Sequence, residues 1–137
     1  MATPFNLSVI TPEKIFFDDE TTQLIVRTSE GDIGILAGHT SLVANLPSGP
    51  LKIKNEDGTW RIAAISTGVL KIGGNKVSIL ANAVEWADEI DLDWAKRSEE
   101  DARNRLKQYE SGRDHDIAEI KLQRALNRIS VKSMIGK

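Results

Sequence analysis

The 137-residue sequence predicts a β + α fold class, an N-terminal antiparallel β-sandwich followed by a C-terminal antiparallel two-helix hairpin, and three observations carry the prediction. Through the first half, apolar residues alternate, as in Phe5, Leu7 and Val9 and again in Leu51 and Ile53, which is the period of strands with one buried face. All four prolines and eight of the ten glycines lie within residues 1–74, so turn signals recur there and nearly vanish afterwards. Beyond about Asp91 the apolar spacing becomes helical, with Leu92, Ala95, Ala102, Leu106 and Tyr109 on one face. Many short strands without a helix-length pattern between them indicate a sandwich or barrel. The division is placed at residues 1–88 and 89–137.

The strand elements are read from their punctuation. Asn55-Glu56-Asp57-Gly58 separates Leu51-Lys52-Ile53-Lys54 from Trp60-Arg61-Ile62-Ala63-Ala64-Ile65, and Gly73-Gly74-Asn75 splits Val69-Leu70-Lys71-Ile72 from Val77-Ser78-Ile79-Leu80; both read as hairpins. The segment GDIGILAGHTSLV, residues 31–43, has the composition of a phosphate loop but not its spacing. Gly34 and Gly38 enclose three residues rather than four, and His39 stands where a lysine is required. No helix opens after it, because Ser41–Leu46 runs straight into Pro47-Ser48-Gly49-Pro50, so the segment reads as strand and turn. The glycines at 31, 34, 38, 49 and 68 are then expected at bulges, positive-φ turns or close backbone approaches.

In the second half Asp91 is a candidate cap for the first helix, and Glu99–Arg103 and Asp101–Arg105 have the favourable i,i+4 order. Glu110–His115 interrupts the pattern. Asp116-Ile117-Ala118-Glu119 has the form of a capping box, so the second helix is expected to start with Asp116 as its cap, and Ala118, Leu122, Ala125, Leu126 and Ile129 form its apolar stripe. Two such helices joined by a short loop pack as an antiparallel pair.

Composition removes several function classes. There is no cysteine and only two histidines, His39 and His115, so thiolate chemistry and a histidine metal cage are excluded and no metal site is expected. The formal charge of -2 divides as -4, -3 and +5 over residues 1–90, 91–119 and 120–137. Lys121, Arg124, Arg128 and Lys132 line one face of the second helix, with no acid after Glu119, a pattern that suits an acidic protein surface. No aromatic interleaves with them, which weighs against nucleic acid. No apolar run approaches the ~20 residues that cross a bilayer, so any membrane association is expected through a partner. No nucleophile, paired acid and base, or metal cluster supports catalysis.

The segment Gly31–Leu42 with Leu46-Pro47-Ser48-Gly49, and Gly68–Ile72 leading through Val77–Asn82 to Glu85, Ile90 and Asp91, resemble the epsilon subunit of F-type ATP synthases across nearly the whole chain. The resemblance implies a ten-stranded sandwich, a mobile helical hairpin, and a non-catalytic central-stalk role on the cytoplasmic face of the bacterial membrane. It implies that Glu30, Gly31 and Asp32 touch the membrane rotor ring, that His39 and Thr40 lie close to the gamma subunit, and that Lys121, Arg124, Arg128 and Lys132 meet the catalytic alpha/beta head. Some members bind regulatory ATP on the hairpin. Glu85, Ile90, Asp91, Arg124 and Arg128 match that pattern, but Trp94 and Asp101 replace two basic residues, so only weak ATP affinity and no other cofactor is expected. Two alternatives compete: a small phosphate-transfer enzyme using the glycine-rich loop and His39, and a free-standing interaction module.

Overall fold

The computed structural model describes residues 3–135. Eight strands come first: β1 (Phe5–Ile10), β2 (Ile15–Thr21), β3 (Leu24–Thr28), β4 (Gly31–Ile35), β5 (Leu42–Leu46), β6 (Gly49–Lys54), β7 (Trp60–Gly73) and β8 (Lys76–Trp86). Both expected hairpins are present. β6 and β7 join around Asn55–Thr59, with the Gly58 amide donating to the Asn55 carbonyl at 3.0 Å. The Thr59 hydroxyl and amide both donate to Asp57 and hold its carboxyl below the ordinary Asp range. β7 and β8 join through Gly74 and Asn75; Gly74 has φ 61°, as the first position of a tight hairpin turn demands.

The long strands β7 and β8 organise everything else. Residues 60–65 of β7 pair with β6, which continues through β3 to β4, whereas residues 68–72 pair with β5. Residues 76–80 of β8 pair in parallel with β1, which pairs with β2 at the outer edge. The β7–β8 ladder skips one pair, Thr67 with Asn82, and Thr67 has φ 51°. There the Asn82 side-chain amide donates to the Thr67 hydroxyl at 2.6 Å. Dividing both strands at this bend turns eight strands into ten segments in two five-stranded layers, so the expected count of ten corresponds to eight continuous strands. Leu7, Val9, Leu24, Ile35, Leu51, Leu70 and Ile79 are fully buried in one core that draws on both layers, and each such side chain contributes about 1.5–3 kcal/mol.

From Ala87 a second unit begins, opening with a single 3-10 turn at Ala87–Glu89. Helix α1 (Leu92–Gln108) starts where the sequence indicates: the Asp91 carboxylate accepts from the Trp94 amide at 3.0 Å. Helix α2 (Arg113–Ser133) does not start at Asp116. Its cap is Gly112, at φ 90° and without a side-chain hydrogen bond, and the Asp116 amide already donates to the Gly112 carbonyl. The capping-box reading fails because glycine alone reverses the chain here without steric strain. Asp114 and Asp116 then sit in the first turn, where the helix dipole favours carboxylates. Ala95 and Ala102 of α1, with Ala118 and Ala125 of α2, are buried and allow close approach; Leu122 and Val131 are buried with them. Both expected ion pairs form, Arg103–Glu99 at 2.8 Å and Arg105–Asp101 at 3.1 Å.

At Gly68 an added Cβ would stand 2.3 Å from the Leu80 carbonyl oxygen and 2.9 Å from the Ala81 Cα, both immovable backbone atoms. Gly68→Ala therefore lowers sandwich stability by on the order of 3 kcal/mol. Gly34→Ala, with open space around it, shifts stability by about 0.5 kcal/mol or less. Urea unfolding of the two variants followed by circular dichroism checks the contrast.

Candidate functional site

Three surfaces stand out, two of which carry residues that the sequence singles out. The first is the β3–β4 turn. Arg27 and Asp32 form a cross-strand ion pair at 2.9 Å, and the Thr28 hydroxyl donates to the Gly31 carbonyl at 2.7 Å while accepting from the Glu30 amide at 3.2 Å. Gly31, at φ 122°, completes the turn. Glu30, Gly31 and Asp32 thus project as one braced, exposed tip. In the loop that follows, the His39 amide donates to the Leu36 carbonyl and the His39 ring Nδ1 lies 2.8 Å from the Thr40 carbonyl oxygen. His39 has no acid or nucleophile beside it in these contacts; it ties down its own corner.

The second surface was missed from the sequence. Val43 of β5, Val69 of β7 and Leu80 of β8 are 69%, 39% and 57% exposed. Val69 pairs with both Leu80 and Asn45, and Leu80 pairs with Ile10 of β1. Because residues two apart share a face, Val43 joins the same row. An apolar row thus crosses four strands outside the core. The signal was present in the alternation: these residues occupy the polar phase of their strands.

The third surface lies between the two helices. Trp94, Ser98 and Asp101 of α1 and Lys121, Arg124 and Arg128 of α2 line a groove of about 290 Å³. The Arg128 guanidinium lies over the Trp94 ring, 5.0 Å from its centroid. The Arg124 Nε is buried and has no hydrogen-bond partner among the described residues. Lys132 Nζ donates to the Asp88 carbonyl at 3.4 Å. Arg124 and Arg128 are therefore half-buried in the groove against α1, whereas Lys121 is exposed at its rim and Lys132 reaches the 3-10 turn. Asp101 is neutralised in part by Arg105, which weakens the phosphate repulsion expected of it. Asp91 serves as the α1 cap, Ile90 is buried, and Glu85 belongs to the strand unit, paired across from Ala64. Oxygen and nitrogen atoms of His115, Asp116 and Glu119 lie within 4.8 Å of one another on α2. Two of the three are exposed, and helical spacing alone brings them together.

Residues 4–87 match the family model for the β-sandwich domain of the ATP synthase delta/epsilon chain, and residues 88–133 match its long α-helix domain. The chain belongs to the ATP synthase epsilon family. It is 47% identical over 128 residues to the ATP synthase epsilon chain of Ruminococcus albus, covering 93% of this chain and 95% of that one. Against the epsilon chain of Caldicellulosiruptor bescii it is 42% identical, covering 93% and 92%. A chain in a structure of the Euglena gracilis mitochondrial ATP synthase superposes with a TM-score of 0.76 at 26% identity, covering 85% of this chain and 74% of that one. As an epsilon chain it is a non-catalytic stalk subunit of the F-type ATP synthase, which removes the phosphate-transfer enzyme and the free-standing module. Among the described residues no helix is long and apolar enough to cross a membrane.

The caps of this epsilon-family hairpin are separable by experiment. Asp91→Ala removes a side-chain cap and lowers helical stability by about 1 kcal/mol. Asp116→Ala, inside the first turn, changes it by about 0.5 kcal/mol or less. Thermal melts of α1 and α2 read by amide exchange distinguish the two.

Proposed function

We propose that this chain couples the gamma subunit to the membrane rotor ring through its sandwich and restrains ATP hydrolysis by the alpha/beta head through its helical hairpin, on the cytoplasmic face of the bacterial membrane. The braced tip at Glu30, Gly31 and Asp32 meets polar loops of the ring. The apolar row of Val43, Val69 and Leu80, which begins three residues after Thr40, seats against gamma, with His39 and Thr40 at its margin. One observation carries the regulatory half: four cations of α2 lie at helical spacing in a chain that is acidic elsewhere, with Arg124 and Arg128 half-buried in the groove against α1 and Lys132 held by the Asp88 carbonyl. Separating the helices presents Lys121, Arg124, Arg128 and Lys132 to an acidic surface on the head; closing them withdraws the charge.

Deleting residues 91–137 leaves assembly with gamma and the ring intact and raises ATP hydrolysis by the complex several-fold, because the hairpin offers too little apolar surface to anchor the subunit. Hydrolysis unchanged across a range of nucleotide concentrations overturns the restraining role.

Nucleotide is a minor ligand in this reading. Trp94 and Asp101 stand where two guanidinium groups would engage phosphate, so ATP binds no tighter than ~1 mM, about -4 kcal/mol. Changing Trp94→Arg and Asp101→Arg together tightens binding by roughly tenfold or more, since each charge-assisted contact is worth about 1.5–3 kcal/mol before screening. Calorimetric titration of both full-length proteins measures the difference, and tight binding by the unaltered chain overturns the assignment.

A further inference from the structure

We propose that Trp94 and Arg128 are an internal latch that holds α1 against α2 with no bound ligand. This rests on the reading of the hairpin as a regulatory element and names what sets its closed state. The seam between the helices is narrow, because its buried side chains are mostly alanine. Such a seam lets backbones approach closely but removes little apolar area from water, and helices of 17 and 21 residues are near the limit of independent stability. Something else must bias the pair toward closure.

Beside the seam, Trp94, the one aromatic residue (Phe, Trp or Tyr) within α1 or α2, is 48% exposed. The Arg128 guanidinium lies over it at 5.0 Å from the ring centroid. A guanidinium is planar, weakly hydrated and permanently charged, so it covers an indole face better than an ammonium does. The contact spans the groove from α1 to α2 and cannot exist once the helices part. Its neighbours reinforce the direction of the effect. Asp101 on α1 supplies negative charge on the wall facing Lys121 and Arg124, and Arg105 only partly offsets it. In a groove that relied on an anion to gather these cations, an aromatic face and a carboxylate would be poor choices. Here they do the gathering themselves, so closure is built into the chain instead of being supplied by solution conditions.

The latch is tested in the isolated full-length chain by hydrogen–deuterium exchange over Ala118–Ile129. Trp94→Ala and Arg128→Lys each speed exchange of these amides by about two- to fivefold, the range of an exposed cation–π contact. The double variant exchanges more slowly than the product of the two single effects predicts, because both substitutions remove one shared contact. Alanine is the better helix former, so faster exchange in Trp94→Ala does not reflect lost propensity in α1. Adding about 0.05 mM ATP, far below the ~1 mM bound on its affinity, leaves the exchange of the unaltered chain where it was. Unchanged exchange in the single variants, additive effects in the double variant, or protection that requires ATP overturns the latch. The measurement uses no catalytic head. A coupled pair in a hairpin whose deletion leaves hydrolysis unchanged therefore sinks the regulatory reading alone, and an uncoupled pair in a hairpin that does restrain hydrolysis sinks the latch alone.

Discussion

At Gly68 the backbone of β7 comes so near β8 that the Leu80 carbonyl oxygen occupies the space a side chain would need. That approach, with Thr67 at φ 51° and the Asn82–Thr67 hydrogen bond beside it, bends the β7–β8 ribbon between two layers. Every other strand reaches the fold through this ribbon. β6, β3 and β4 hang from its first half, and β5, β1 and β2 from its second. The apolar row on the outside and the buried core on the inside both depend on where the bend falls, because a slip of one residue exchanges the two faces.

The helical unit is built on a different principle. Its seam is lined by small side chains, and its ion pairs at Glu99–Arg103 and Asp101–Arg105 are solvent-exposed, each contributing a few tenths of a kcal/mol. A sandwich with dozens of ladder bonds is suited to a fixed coupling. A hairpin whose closure rests on a few weak contacts is suited to opening and closing, since its two states differ by little free energy. The charge distribution follows the same division: the strand unit is acidic, and the cations gather on the element that moves in the proposed mechanism.

Much of this was legible in the sequence, for physical reasons that are local. Alternation located β1 and β6; the turn signals at Asn55–Gly58 and Gly73–Asn75 located two hairpins and with them the two halves of β7 and the start of β8; and Asp91 located the start of α1. The α2 start was misread because Asp116 and Glu119 have capping-box spacing, while the decisive residue, Gly112, acts through its backbone freedom and leaves no side-chain signature. The bend at Thr67 was signalled only by Gly68, expected at a bulge, turn or close backbone approach and found at the last of these, because a strand that changes layers otherwise keeps its alternation. The basic stripe was visible, but its partner was not, because the pairing of Trp94 with Arg128 depends on how two helices rotate about each other. Val43, Val69 and Leu80 were present as apolar residues in the polar phase, a signal that emerges only once the core face of each strand is fixed.

The parallel pairing of β1 with β8 has a consequence for how the chain is made. Asn6 meets Lys76, and every later pair keeps the same separation of 70 positions. During synthesis β1 and β2 emerge first, but the inner neighbour of β1 does not exist until most of the sandwich has been translated. Until then a two-strand ribbon, marginal in water, presents an unpaired inner edge to every other strand in its vicinity. Closure of the sandwich is therefore a late, long-range event that waits for Leu80 to clear the ribosome. The nascent chain spends that interval as the kind of open-edged intermediate that chaperones bind.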